Sequence, residues 1–168
     1  MKTPILLSLS FLILIAGLGC GSGSSTEVVA ADGTKATVNK DDGSMNVQTP
    51  DGGSASMGGG TKVTEDDVHM PFYPGSTDVE GRAFKMDSPT EQSAMSVRST
   101  ADDPQKVADF YTAKVKDLKF NKFEANGATN FMAESKAEDG SKFAITISKK
   151  ASEATTEITI AYGLEKKK

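Results

Sequence analysis

Two stretches decide the fold: Lys142-Phe143-Ala144-Ile145-Thr146-Ile147-Ser148-Lys149 and Thr155-Thr156-Glu157-Ile158-Thr159-Ile160-Ala161-Tyr162. In the first, Phe143, Ile145 and Ile147 alternate with Ala144, Thr146 and Ser148; in the second, Ile158, Ile160 and Tyr162 repeat the pattern. Successive side chains of a strand point to opposite faces. A strict period of two therefore predicts two strands with one buried face and one facing water. A sheet half-buried in this way needs a cover.

The cover lies upstream. Asp103-Pro104 is a helix start, because a residue before proline is biased extended, as an N-cap must be, and proline suits the first helical position. Val107, Ala108, Phe110, Tyr111, Val115 and Leu118 then fall within one arc at 100° per residue. Lys106, Asp109, Lys116 and Asp117 lie outside it, and Lys114 projects inside it on an alkyl stem that must snorkel.

Further strands are expected at Val79–Met86 and Ala94–Thr100 before the helix, and around Phe120–Ala125 and Ala128–Lys136 after it. Asn126-Gly127 and Asp139-Gly140 supply turns. The expected fold is α+β: a mostly antiparallel sheet packed by one amphipathic helix, in the order β-β-α-β-β-β, over residues 64–168.

Two motifs in this half carry a resemblance. Met70-Pro71-Phe72-Tyr73-Pro74-Gly75 contains a P-x-Y-P-G segment, and Thr100–Tyr111 (TADDPQKVADFY) is similar to a helix start of the form D-S-x-x-x-V-x-x-F-Y. Together, over residues 64–162, they resemble small uncharacterised bacterial lipoproteins. That resemblance implies a domain boundary and a fold, and brings no activity with it.

The first half differs in character. Leaving aside Phe11, all ten aromatics lie at Phe72 or later, and residues 21–60 hold nine of the sixteen glycines. Asp32-Gly33, Asp42-Gly43 and Asp51-Gly52 recur at intervals of ten and nine residues, with the alternating segments TKATVNK and SMNVQT between them. Two readings of residues 26–63 are open. One is a β-meander turned by Asp-Gly steps, with Val38, Met45 and Val47 facing inward, which is marginal unless it leans on something. The other is a flexible spacer reaching ~35 Å. Asn39-Lys40-Asp41-Asp42-Gly43 lacks the ligand alternation and distal Glu of a calcium loop, so the aspartates read as turn chemistry.

Residues 1–19 read as an export signal. Lys2 precedes an apolar run from Ile5 to Leu18 that is shorter than the ~20 residues needed to span a bilayer. Gly17-Leu18-Gly19-Cys20 resembles a bacterial lipoprotein signal, although Leu18 stands one place nearer the cysteine than the usual leucine. The resemblance implies cleavage before Cys20, lipid on its sulfur and acylation of the new amine. Several acyl chains anchor firmly where one would not. Residues 20–25 would then be a tether, and Gly21, in place of a retention Asp, points by analogy to the outer membrane, facing the periplasm or the cell surface. Cys20 is the sole cysteine, which excludes an intramolecular disulfide and a thiolate-rich zinc site.

Composition closes off other classes. Without Lys2, 18 basic residues stand against 23 acidic ones, a net of −5 with no basic stripe, which argues against nucleic-acid binding. His69 is the only histidine, so its acidic neighbours Glu65, Asp66 and Asp67 do not complete a zinc set and read instead as a short helix's first turn. There is no G-x-S-x-G elbow and no phosphate loop. Glu134 and Glu138 read as solubility features. Phe72 and Tyr73 are the candidate ligand or partner residues, either as a groove or lid or as a plug at the sheet's open end. Glu165–Lys168 reads as a solvated tail.

The expectation is thus a non-catalytic, membrane-anchored binding domain of the bacterial cell envelope, with no cofactor and no metal. Its partners would be membrane lipid through Cys20 and an envelope protein or small ligand. The alternatives are an envelope hydrolase using carboxylates and a structural subunit of an envelope assembly.

Overall fold

The computed structural model describes residues 24–166. The signal, Cys20 and the start of the tether lie outside the described residues. The described chain forms eleven strands and two helices: β1 (Ser25–Val29), β2 (Lys35–Asn39), β3 (Met45–Gln48), β4 (Ser54–Met57), α1 (Glu65–Val68), β5 (Thr77–Asp78), β6 (Phe84–Asp87), β7 (Glu91–Thr100), α2 (Pro104–Lys114), β8 (Asn121–Ala125), β9 (Ala128–Lys136), β10 (Lys142–Lys150) and β11 (Thr156–Glu165).

All pairings are antiparallel, and the strands share one sheet in the order β1-β2-β3-β4-β6-β7-β11-β10-β9-β8, with β5 beside the far end of β7. The expected sheet-dominated antiparallel architecture is present, but its order differs. Three strands, not two, lie between residue 64 and α2, because the expected strand Val79–Met86 is broken. Val79 donates to the Val97 carbonyl, Gly81 turns at φ +75°, and the chain re-enters the sheet only at Phe84. All four strands expected after α2 are present, one more than the order β-β-α-β-β-β counts, and the cover comprises two helices rather than one.

α2 carries the chain from β7 across the sheet to the far edge, from which β8 to β11 return strand by strand to β7. Its start is as expected: the Asp103 side chain accepts from the Gln105 amide at 2.8 Å and Pro104 follows. The helix ends at Lys114, which is exposed, and Leu118 reaches the core from beyond the helix end. α1 is held by a capping box in which Thr64 and Asp67 satisfy each other's amides.

The core lies between the helices and one sheet face. Ile145, Ile147, Ile158 and Ile160 are fully buried against Val68, Val107, Ala108 and Tyr111. Each wholly buried aliphatic side chain contributes about 1.5–3 kcal/mol.

Residues 25–57 are strands as well. Gly33, Gly43 and Gly52 sit at φ +87°, +67° and +88° in the turns, where an L side chain is strained. Asp32 and Asp42 accept from the amides of Thr34 and Ser44, which holds both carboxyls below the usual range. The meander joins the rest edge to edge, through β4 pairing with β6. The end of the chain is also held: Lys166 pairs with Asp87, and its amide donates to the Thr90 carbonyl at 2.8 Å, so the described part of the tail is docked rather than free in solvent.

Candidate functional site

The segment carrying Phe72 and Tyr73 runs from α1 to β5. Its entry is fixed by Glu65, whose Oε1 accepts the Phe72 amide at 2.7 Å. Tyr73 is buried in the core, edge-on to Phe110 at 5.2 Å, and its hydroxyl donates to Asp102 Oδ2 at 2.6 Å. Lys106 Nζ meets the other oxygen of Asp102 at 3.0 Å. The Tyr73 hydroxyl, and after it Lys106, holds the Asp102 carboxyl below the ordinary carboxylate range. Burial, and then the Asp102 hydrogen bond, pushes the Tyr73 phenol up.

Phe72 is half-buried, with the Arg98 guanidinium 4.0 Å above its ring. Arg98 is itself buried and three of its five donors are taken: Nε donates to Ser76 Oγ and Nη2 to the Ser76 carbonyl, each at 2.8 Å, and Nη1 pairs with Asp78. Its charge is already paired with Asp78 within the fold. The segment packs Tyr73 into the core and lays Phe72 under Arg98; it does not bring the two rings together as the wall of a groove.

The other residues considered from the sequence are equally occupied or scattered. His69 is exposed, in the left-handed region at φ +50°, with its ring 4.5 Å from that of Tyr162. Asp67 serves the α1 cap and pairs with Lys85. Among the described residues, no three His, Cys, Asp or Glu side chains are placed to share a metal ion. Glu134 and Glu138 are exposed, and an open depression bordered by Glu134, Lys136, Lys142, Phe143 and Tyr162 lies at the ends of β9, β10 and β11.

The feature unlike an ordinary soluble domain is the sheet face turned away from the helices. Directly paired residues of an antiparallel sheet share a face. Register places Val38, Met45, Met57, Phe84, Met95, Ala161 and Ala144 in one unbroken row across seven neighbouring strands. A second row, one pleat away, holds Ala36, Val47, Ala55 and Met86. The helices pack on the opposite side, where the interleaved Ile145, Ile147, Ile158 and Ile160 lie. Val38 and Met57 are each about two-fifths exposed, at 40% and 41%. Five of the chain's seven methionines (Met45, Met57, Met86, Met95 and Met132) share this face.

The alternation of residues 35–48 predicts Val38, Met45 and Val47 as inward-facing side chains. The structure puts them on one face, as the alternation requires, and braces the meander through its edge rather than by covering that face. Met57, exposed, and the part-buried Phe84, Met86 and Met95 join the same face without having been singled out; one methionine in each of β3, β4, β6 and β7 was the available signal.

No protein-family model matches the chain, and no curated protein or solved structure matches it either.

Proposed function

We propose that this chain is a bacterial envelope lipoprotein, anchored through acylated Cys20, whose domain is a non-catalytic binding module working through the open methionine-rich face. The single observation that carries the binding role is that face: a contiguous, uncharged apolar row on a domain whose core is complete without it. Scattered apolar residues on a surface are ordinary, whereas a contiguous patch marks an interaction site. Methionine side chains suit such a surface because they are unbranched and polarizable and repack against varied partners.

The anchor is supported by the short apolar run ending in Gly19-Cys20 and by the likeness of residues 64–162 to small bacterial lipoproteins. Cys20 stands five residues before Ser25, so the covalent chain keeps β1 within roughly 17 Å of the acylated sulfur. The meander would thus work close to the bilayer. The same patch also favours the reading of the chain as a subunit of an envelope assembly. The carboxylate-hydrolase reading has no comparable support: the acids described above serve caps, turns and ion pairs, and Asp102 and Glu65 fix Tyr73 and the Phe72 amide in place.

Intact mass of the protein extracted from membranes tests the anchor. The expected mass is that of residues 20–168 plus acyl chains, and Cys20→Ser is expected to leave the membrane fraction while keeping its fold. An unlipidated native protein, or undiminished membrane association of Cys20→Ser, would defeat the anchor.

A further inference from the structure

Gly163 is a glycine that neither its backbone nor its packing requires. It stands inside β11, a ten-residue strand flanked by β7 and β10, where glycine weakens a sheet. Its φ lies outside the left-handed region, and a Cβ added there would meet nothing within 4 Å. A mid-strand glycine of this kind leaves room for a group that approaches the backbone closely.

The surrounding charges define that group. Register places Lys142 of β10 directly beside Gly163 and Lys136 of β9 directly beside Lys142. Glu165, one same-face step along β11, is paired directly with Glu91 of β7. Like charges directly opposite in a sheet are unfavourable, and here two such pairs share the open face. Among the described residues, none of the four forms an ion pair. Cations thus gather on the β9–β10 side of Gly163 and anions on the β7–β11 side.

Two depressions meet over this glycine. One, of about 540 Å³, contains Glu91 and Glu165; the other, of about 610 Å³, contains Ala144 and Ala161, with Glu134 at its border. Lys136, Lys142 and Gly163 line both. Asp139 and Lys166 also border the first, but Asp139 accepts from the Ser141 amide and hydroxyl, and Lys166 pairs with Asp87. Met95 stands directly beside Ala161, and Phe84 beside Met95. Along the trough the order is therefore carboxylates, ammoniums and then apolar surface, at successive same-face positions ~7 Å apart.

We propose that this trough binds an ethanolamine phospholipid: its ammonium between Glu91 and Glu165, its phosphate between Lys136 and Lys142 over Gly163, and its apolar part on Ala144 and Ala161 beside Met95. The inference rests on reading the open face as the binding surface and names the ligand of that face. In such a lipid an ammonium, a phosphate and an apolar chain follow in that order, with nitrogen and phosphorus four bonds, roughly 5 Å, apart. A purely anionic ligand fits less well, because Glu91, Glu134 and Glu165 outnumber Lys136 and Lys142 in the lining. A primary ammonium also has three donors for the two carboxylates, whereas a quaternary one has none.

The test is native mass spectrometry of the full chain, extracted from membranes and held in dodecyl maltoside. It is titrated with an equimolar mixture of dihexanoyl phosphatidylethanolamine and dihexanoyl phosphatidylglycerol, and separately with free phosphoethanolamine. The expected result is one retained lipid per chain, with the ethanolamine lipid favoured about tenfold over the other two probes. Gly163→Leu should abolish retention by filling the floor, and Lys136→Gln with Lys142→Gln should lower it about tenfold. Glu91→Gln with Glu165→Gln should erase the preference between the two lipids. A cooperative urea transition shows that each variant is folded. Equal retention of both lipids by the unaltered chain, or full retention by Gly163→Leu, would overturn the site. Free phosphoethanolamine retained as well as the lipid would overturn the assignment to a lipid in favour of a free zwitterion. No retention of any probe would overturn the inference alone. The open face itself is tested apart, by p-benzoylphenylalanine at Phe84 in cells: an adduct to lipid or protein supports it as a binding surface, and no adduct of any kind overturns that reading too.

Discussion

Tyr111 offers the sharpest test of the packing argument, because removing one oxygen should stabilise the protein. Its side chain is fully buried beneath α2, edge-on to Phe110 at 5.1 Å, and its hydroxyl has no hydrogen-bond partner. A buried hydroxyl left unsatisfied costs about 1–3 kcal/mol relative to its hydrated state in the unfolded chain. Tyr111→Phe removes that cost and leaves a void the size of one oxygen, worth roughly 0.3 kcal/mol at 24 cal/mol per Å³. The net expectation is a gain of about 1 kcal/mol, read as a rise of roughly 0.5 M in the urea midpoint for a slope of about 2 kcal/mol/M. The alkaline limb gives a second readout. Burial raises the Tyr111 phenol well above its ordinary 10.0, with the Tyr73 amide and Arg98 opposing. The folded state therefore holds a proton that the unfolded chain releases near pH 10. This contribution is full below pH 10 and is lost as pH rises beyond it. Tyr111→Phe should flatten that loss, leaving the smaller share that Tyr73 and Tyr162, also raised by burial, contribute. A destabilisation of about 1 kcal/mol or more would refute the reasoning, since it would mean that the hydroxyl accepts a bond of real strength, the Tyr73 amide being the nearest claimant.

Two further outcomes separate the halves of the sheet. Ile158→Ala, fully buried between the helices and the sheet, should cost about 3 kcal/mol in the same urea titration, with a loss under 1 kcal/mol meaning that the site collapses around the deletion. Gly59→Ala should loosen the meander selectively: a Cβ there would stand 2.3 Å from the Asp42 carbonyl oxygen, forcing the β2–β3 turn away from residues 58–60. The expected cost is about 1–3 kcal/mol, seen in hydrogen exchange as faster exchange in β2 to β4 with β9 to β11 unchanged, and uniform acceleration across the sheet would contradict it.

The second half was legible because its signals are local and redundant. Period-two alternation in residues 142–162 fixes which side chains are buried, and Asp103-Pro104 fixes where α2 begins, whatever the tertiary context. The break at residues 79–83 was not legible. Val79-Glu80-Gly81-Arg82 alternates passably as a strand, and only pairing with Val97 on one side and Met95 on the other divides it. The placement of Tyr73 was legible as one of two readings, but the Phe72–Arg98–Ser76 arrangement joins residues 22 or more positions apart and leaves no mark in local pattern.

The meander shows where alternation stops being informative. A period of two says that one face of a strand is apolar and says nothing about which side of the finished sheet that face will join. In β10 and β11 the apolar side is the one the helices cover; in β2, β3 and β4 it is the other. Because β4 pairs with β6 and β6 with β7 in continuous register, the two patterns meet within one sheet: Phe84 and Met95 continue the meander's open row, while the neighbouring Ala94 belongs to the helix-covered core. Rotating the meander's apolar side under the helices would require a one-residue slip at β4–β6, and that slip would place Asn46 and Ser56 in the open row beside Phe84 in place of Met45 and Met57. The polar side of the meander already faces water on the helix side of the sheet, so the chain gains nothing from such a slip unless the open row stays hydrated. The register therefore makes sense for a sheet whose second face also serves as a contact surface.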